Sequence, residues 1–433
     1  MDAPHPLSVA EAQVRLLVRF RRCSAETVRL DAALGRTLAV DNIAASDLPP
    51  FTNSAMDGYA VRAMDTAGAS AEQPIMLAVI GLQAAGDAAS LTIRESEAAA
   101  IATGASLPAG ADAVVRHEET DGGAVTVTIR GTVVLGANVR QQGETVRAGK
   151  TVLHAGTRLT PGQIALLVAT GNARPSVVRR PCIAILSTGN ELIPDGQRMG
   201  PGQIPDTNGP LLAALIAQFG GDPIPLGIVC DTPDDLRRAF DAVPDDADCI
   251  ITTGGVSGGV YDAMRAVIAE RGALDFWRVR MRPGHPVAFG VIGKRPIFAL
   301  PGNPVAAFVT FHILVRPAIA RMLGQTLELP PTVPARLTQA IENRGEQQTY
   351  PRARLRVTPL GWEADTAMDQ AVGNILSLSE ANGLVVIPEG VTHLSEGAMV
   401  QAILFDEYGE IGNQSPIYHS SRERSGGASR THV

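Results

Sequence analysis

A chain of 433 residues with 45% hydrophobic and 19% charged side chains has an ordinary globular composition and room for two to four domains. A formal charge of −7 (37 basic against 44 acidic residues) and 4% aromatic content argue against nucleic acid as the main partner. The four cysteines form no CxxC pair, which argues against a zinc site or a disulfide framework; with no basic-then-apolar leader and no uninterrupted apolar run near the ~18 residues of a membrane span, a cytoplasmic protein without a membrane partner is expected.

Residues 8–22 are predicted to form a helix. Ser8 with Glu11 three positions on reads as a capping box. Val9, Ala12, Leu16, Leu17 and Phe20 share one face, and Arg15, Arg19 and Arg22 lie opposite as a solvated basic surface. Further on, Leu48-Pro49-Pro50 breaks the apolar pattern, and residues 51–59, FTNSAMDGY, read as an irregular polar loop. An Asp-Gly turn at Asp57 accounts for that loop, although the same mixture of small, hydroxyl and acidic side chains also suits a ligand. Residues 73–128 look like a small β-rich module, with strands at 75–80, 98–102, 113–116 and 125–129. Short β segments cut by glycine follow in 133–156. TPGQIALLVAT, 160–170, is a helix capped by Thr160 with Pro161 at its first position.

From residue 181 the pattern changes to alternating strands and helices. Strands are predicted at 182–186, 225–229, 249–253 and 296–300, and helices at 208–219, at 233–240, from 261, and after Asn303-Pro304. This alternation indicates a doubly wound, mostly parallel sheet as the centre of a multidomain α/β chain. Leu329-Pro330-Pro331 reads as a linker, 332–405 as a small β-barrel, and the residues after it, rich in Ser, Arg, Gly and His, as a disordered tail.

Candidate chemistry concentrates where the α/β strands end. STGNEL (187–192) offers Ser187, Thr188, Gly189 and Glu191. TTGGVSGGVYD (252–262) offers Gly254, Gly255, Ser257 and Asp262, and ALPGNPVAAF (299–308) offers Pro301, Gly302 and Asn303. Asp231 follows a further strand in IVCD. Glycine lets backbone N–H groups approach an oxyanion, and such groups at the carboxyl ends of strands suit phosphate. Carboxylates among those amides point to a hard cation such as Mg2+ bridging to phosphate oxygens. Taken singly, each glycine run is also a tight turn and each acid also a helix cap. RVRMRPGHP (278–286) adds Arg278, Arg280, Arg282 and His285, a basic cluster suited to an oxyanion.

The segments ALGRTLAVDN, SAMDGYAVR, ATGASLPAGADAVV, STGNEL, DTNGPLL, TTGGVSGGVYD, MRPGHPVAFG, ALPGNPVAAF and SLSEANGLVVIPEG occur in one order along the chain. In these the sequence resembles the molybdopterin molybdenumtransferases, bacterial MoeA and the E domain of gephyrin, from about residue 8 to residue 405. The resemblance implies a cytoplasmic homodimer of four-domain chains. Here these would be a linking domain (8–45 plus 146–179), a β-rich lobe (46–145), a molybdopterin-binding α/β domain (180–328) and a C-terminal β-barrel (331–406), ahead of a disordered tail (407–433). It implies insertion of molybdate into adenylated molybdopterin with Mg2+-dependent release of AMP. By position, Glu191, Asp231 and Asp262 fall on the site acids, here also the expected metal ligands. Asp57, Thr103 and Arg140 fall on lobe positions that would cover the partner subunit's site, and Arg352 on a basic barrel position. A molybdopterin adenylyltransferase and molybdoenzyme maturation factors are the implied protein partners.

Several positions depart from the family pattern. Arg282-Pro283-Gly284-His285-Pro286 stands where the family commonly carries Lys-Pro-Gly-Lys-Pro, so one fixed charge becomes a histidine. Ala371-Val372 replaces a Gly-Ser element and loses a hydroxyl; Ser257-Gly258-Gly259 replaces Ser-Val-Gly, and Gly143-Glu144-Thr145 replaces Gly-Glu-Asp. The first two changes fall where molybdate would bind, which leaves open a paralogue that binds molybdopterin without transferring metal. A different enzyme on the same scaffold, such as a nucleotide pyrophosphatase or amidase, is the third reading.

Overall fold

The computed structural model describes residues 5–255, 261–325 and 329–405, with only the backbone of Tyr261 and Asp262. Ser257 and the expected tail, 407–433, lie outside the described residues. The chain forms two compact units, one of residues 26–177 and one of residues 1–25 with 178–433.

In the 26–177 unit, a five-stranded sheet runs in the order Ala113–Arg116, Gly58–Val61, Glu97–Ile101, Ile75–Gln83, Thr126–Ile129. Tyr59, Val61, Leu77, Ala98, Val115, Val127 and Ile129 fill its core. Gly58–Val61 sits inside this sheet, although the sequence reads its start as a loop. The reason is Gly58 itself: a Cβ there would lie 1.9 Å from the Val115 carbonyl oxygen. This glycine admits a neighbouring strand at close range instead of making a turn. The helix Pro161–Ala169 has the expected cap residue, with the Thr160 N–H donating to Gln163 Oε1 at 2.7 Å.

The other unit holds a six-stranded sheet in the order Asp222–Val229, Cys182–Thr188, Cys249–Thr253, Arg295–Leu300, Ala288–Ile292, Gly272–Phe276. The first four strands are parallel; Ala288–Ile292 is antiparallel to both its neighbours, so Gly272–Phe276 again runs with the first four. Side chains alternate between two cores, as a sheet covered on both faces requires. Ile183, Ile185, Cys249, Ile251, Phe298 and Leu300 pack toward Leu212 and Ile216 of the helix Asn208–Gln218. Ala184, Leu186, Ile250 and Ala299 pack toward Leu236, Phe240, Met264 and Val267 of the helices Pro233–Asp241 and Tyr261–Arg271. The last two strands escape a sequence reading in part because glycine opens one and sits inside the other; Gly272 and Gly290 each face a neighbouring carbonyl closely enough to exclude a Cβ.

The N-terminal helix spans Val9–Leu17, with both halves of the Ser8–Glu11 capping box formed. It ends sooner than residue 22 because the backbone tightens, Arg19 and Phe20 donating to the carbonyls of Leu16 and Leu17. That turn drops Phe20 onto Phe289 and Phe298, 6.0 and 5.8 Å between ring centroids. Past Asn303, helical backbone runs from Pro304 to Met322 through a π turn at Phe311–Val315. By length and composition this helix could cross a membrane, but 94% of its apolar window is buried inside the unit, so it reads as a core helix. The barrel is closed, in the order Thr332–Leu337, Gly361–Asp365, Arg352–Thr358, Gly383–Val386, Met399–Leu404.

Candidate functional site

Three parallel strands end side by side, with Ser187 opposite Thr253 and Thr253 opposite Leu300. Their loops are pressed together. Gly254 has φ +93°, and a Cβ on it would lie 2.2 Å from the Thr188 carbonyl oxygen. One on Gly302 would lie 3.3 Å from Gly254 Cα. Asn208, at the start of its helix, fastens the arrangement: its Nδ2 donates to Thr253 Oγ1 at 2.7 Å and to the Gly302 carbonyl at 2.8 Å. Thr253 Oγ1 donates onward to the Pro301 carbonyl, and Asn303 caps the following helix by accepting from Val305 and Ala306 N–H.

A cleft of about 360 Å³ opens over these strand ends, lined among others by Thr188, Glu191, Asp206, Asn208, Asp231 and Gly254. Its three acids are not equivalent. Asp206 Oδ1 accepts from the N–H groups of Asn208 and Gly209 at 3.0 Å each, so it caps a helix. Asp231 receives little: its N–H donates to Asn190 Oδ1 at 3.3 Å, while its own Oδ1 is buried without a partner among the described residues. Burial raises the Asp231 carboxyl above the usual carboxylate range; the Thr188 hydroxyl pulls it back in part, and the charge of Glu191 adds to the rise. Ser187 Oγ and Thr188 Oγ1 are also buried without partners among the described residues.

No group of three His, Cys, Asp or Glu side chains among the described residues could hold a metal. The expected third ligand, Asp262, occupies the second position of the helix Tyr261–Arg271, and its side chain is outside the described set. What is present fits a hard cation in kind: oxygen donors throughout, one of them a buried carboxylate oxygen lacking any positive neighbour.

A second cavity, about 490 Å³, shares Gly302 and Asn303 with the cleft, and is lined further by Arg282, His285, Arg344, Glu346 and Gln347. A third, about 590 Å³, shares Arg282, Pro283 and Val372 with the second and includes Arg352 and Gln370. The basic run does not act as one cluster, because buried Val279 and Met281 turn the arginines outward in strand alternation. Arg278 is exposed and lines none of these three cavities, Arg280 pairs with Glu389 at 3.0 Å, and only Arg282 and His285 reach the second cavity. Arg352 lines the third cavity with part of its guanidinium taken by the protein, while its Nε is buried without a partner among the described residues. It is 1% exposed, and its Nη2 donates to the carbonyls of Asp369 and Ala371 at 3.0 and 3.2 Å. Its guanidinium pins the loop that carries Val372.

Within the 26–177 unit, Asp57 and Thr103 come together. Asp57 Oδ1 accepts from the Thr103 N–H at 2.7 Å and from its hydroxyl at 3.0 Å, and these donors hold the carboxyl below the usual range. Arg140 is exposed on the short strand Val139–Arg140, which pairs through its backbone with Asn53–Ser54. The sequence reading passes over Asp206, Asn208 and Thr253. Their signal lies in DTNGPLL, an Asp two residues ahead of Asn-Gly-Pro at a helix start.

Family models described as "MoeA N-terminal region (domain I and II)", "Probable molybdopterin binding domain" and "MoeA C-terminal region (domain IV)" match residues 7–171, 184–321 and 334–405. Molybdopterin molybdenumtransferase 2 of Mycobacterium tuberculosis is 38% identical over 404 residues, covering 91% of this chain and 98% of that protein. A molybdopterin molybdenumtransferase of Staphylococcus epidermidis is 33% identical over 403 residues, covering 92% and 96%. The crystal structure of a molybdopterin biosynthesis MoeA protein from Pyrococcus horikoshii superposes with a TM-score of 0.80 at 30% identity, covering 92% of this chain and all of that one. A shared sheet alone would not produce agreement running through every part of the molecule, and this chain belongs to the molybdopterin molybdenumtransferase (MoeA) family.

Proposed function

We propose that this molybdopterin molybdenumtransferase inserts molybdate into adenylated molybdopterin, with Mg2+-dependent release of AMP. The observation that carries the reading is Asp231. It is a partly buried carboxylate whose Oδ1 has no partner among the described residues; Glu191 opposes its charge, and it sits where glycine loops bring backbone amides to strand ends. A buried acid in that state is costly unless a cation joins it. Glu191 and Asp231 would hold Mg2+, with Asp262 as the third ligand. The ion supplies charge neutralisation on a diphosphate and a more acidic bound water.

The chain's own residues do the rest. Amides of the loops at Ser187–Gly189, Gly254–Gly255 with Ser257, and Pro301–Asn303 receive the diphosphate. Arg282 and His285 hold the tetrahedral oxyanion in the adjoining cavity, which shares Gly302 and Asn303 with the acidic cleft. Concentrating the anion there raises its effective molarity at the dithiolene sulfurs, which belong to the substrate. The four-domain division, the homodimer, the cytoplasmic setting, and Asp57, Thr103 and Arg140 as lobe residues covering the partner subunit's site complete the proposal. A molybdopterin adenylyltransferase and molybdoenzyme maturation factors are its protein partners.

One observation favours a second reading, a paralogue that binds molybdopterin without metal transfer: apolar Val372 lines both basic cavities. Complementation of a strain lacking its own transferase separates the two. The proposal expects molybdoenzyme activity to return and to vanish again with Glu191→Ala or Asp231→Ala. Binding of adenylated molybdopterin with no metal incorporated supports the paralogue.

A further inference from the structure

We infer that the basic cavity binds its oxyanion together with one proton, taken up on His285 Nε2. The inference rests on the transferase reading, in which this cavity receives molybdate. It starts from the other ring nitrogen. His285 Nδ1 lies 2.9 Å from the Val279 carbonyl oxygen, which can only accept, so Nδ1 carries a hydrogen. Gln347 Nε2 lies 3.2 Å from the same nitrogen; a donor cannot serve an N–H, so the shorter contact to the Val279 carbonyl fixes the tautomer and the Gln347 amide accepts through Oε1 once its two ends are exchanged. With Nδ1 committed, a neutral ring leaves Nε2 as a lone pair, which repels an oxyanion. The protonated ring turns Nε2 into a charged donor, which attracts one.

The ionisable groups lining the cavity with His285 are Arg282 on its own turn and Arg344 and Glu346 on the barrel side; the Pro301–Asn303 loop and Ala306 contribute none. Arginine and glutamate keep their charge between about pH 6 and 8, so histidine is the group whose charge can follow the anion. Arg282 and Arg344 supply a constant attraction, and Glu346 opposes it. Binding of the dianion therefore removes one proton from solvent, and affinity falls as pH rises.

Calorimetric titration of the full chain with sodium molybdate alone, at about pH 6 and about pH 8, tests this. The native protein should bind about tenfold or more tightly at the lower pH, and proton uptake, read from buffers of different ionisation enthalpy, should be small at the lower pH and rise toward one per anion at the higher. His285→Lys should bind at both pH values with less than about a twofold difference and no proton uptake, and His285→Gln should bind weakly with no pH dependence. A native profile that is flat, or a His285→Gln variant that keeps the slope, overturns the inference and leaves the transferase reading standing. Absence of molybdate binding in the native chain and in His285→Lys overturns the oxyanion role of the cavity, and the inference with it.

Discussion

The sequence offers Asp57 in an Asp-Gly turn and Asp231 at the end of a strand, both as candidate site acids, and the two parts of the fold treat them oppositely. Asp57 is answered locally: the Thr103 N–H and hydroxyl both donate to its Oδ1, and its carboxyl is held below the usual range. Asp231 is answered far less: its Oδ1 is buried and unpartnered among the described residues, and burial, with the charge of Glu191, raises its carboxyl against the lowering pull of the Thr188 hydroxyl. A carboxylate that its own fold satisfies has little to gain from a cation. One held half-buried beside another acid gains much, since a cation removes both the desolvation penalty and the repulsion. This contrast, more than the presence of acids, is the physical basis for proposing the cation at the α/β strand ends.

The sharpest way to break this contrast is to remove each acid in turn. Asp231→Ala should lower Mg2+-stimulated AMP release from adenylated molybdopterin by about 10³-fold, as loss of a metal-holding carboxylate does. Its metal-free melting temperature should stay the same or rise, because an unfavourable buried charge is gone. Asp57→Ala should cost about tenfold or less in AMP release and should free the Thr103 turn. Equal losses from the two substitutions would mean that the contrast in their surroundings carries no functional weight.

A second comparison concerns two glycines, one next to Asp57 and one at the mouth of the cleft that holds Asp231. Gly58 and Gly254 each face a carbonyl that a Cβ would meet at 1.9 and 2.2 Å, and Gly254 also has φ +93°. Alanine at either place should cost about 3 kcal/mol of stability, read from chemical denaturation. Only Gly254→Ala should also weaken the Mg2+ dependence of activity, because the clash pushes against Thr188 at the mouth of the cleft. Gly254→Ala with native stability would show that the loops are not pressed together as described.

Elements with a local cause were legible in the chain. Ser8 with Glu11, Pro161 after Thr160, and Pro304 after Asn303 announce helix starts through chemistry within four residues, and those starts form as expected. The parallel strands Cys182–Thr188 and Cys249–Thr253 are apolar because both faces are covered, and that too is written in the sequence. The strand Gly58–Val61 was hidden because its glycine answers to Val115, more than fifty positions away. Arg278, Arg280 and Arg282 looked like one charge cluster because spacing shows periodicity but not that Glu389 pairs with the middle one. That Arg352 Nη2 also donates to two carbonyls seventeen and nineteen residues on is something no local pattern shows.

The smallest effect probes the two acids through pH. Asp57 has a depressed pKa, so the stability it contributes is full above the ordinary carboxylate range and is lost as pH falls through its lowered value. Asp231 has a raised pKa, so its ionised form burdens the fold, and that burden is relieved as pH falls through the raised value. Melting temperatures of the metal-free native chain, Asp57→Asn and Asp231→Asn between about pH 3 and 7 should therefore diverge in sign. The deficit of Asp57→Asn should shrink on acidification, because the native chain loses what the variant already lacks. The advantage of Asp231→Asn should shrink as well, because the native chain sheds the charge the variant never had. Added Mg2+ should raise the native melting temperature near neutrality and do so far less for Asp231→Asn, while Asp57→Asn should respond as the native chain does. If Asp57→Asn lost the Mg2+ response and Asp231→Asn kept it, the cation would belong with the satisfied acid, and the physical basis for assigning it to the strand ends would be gone.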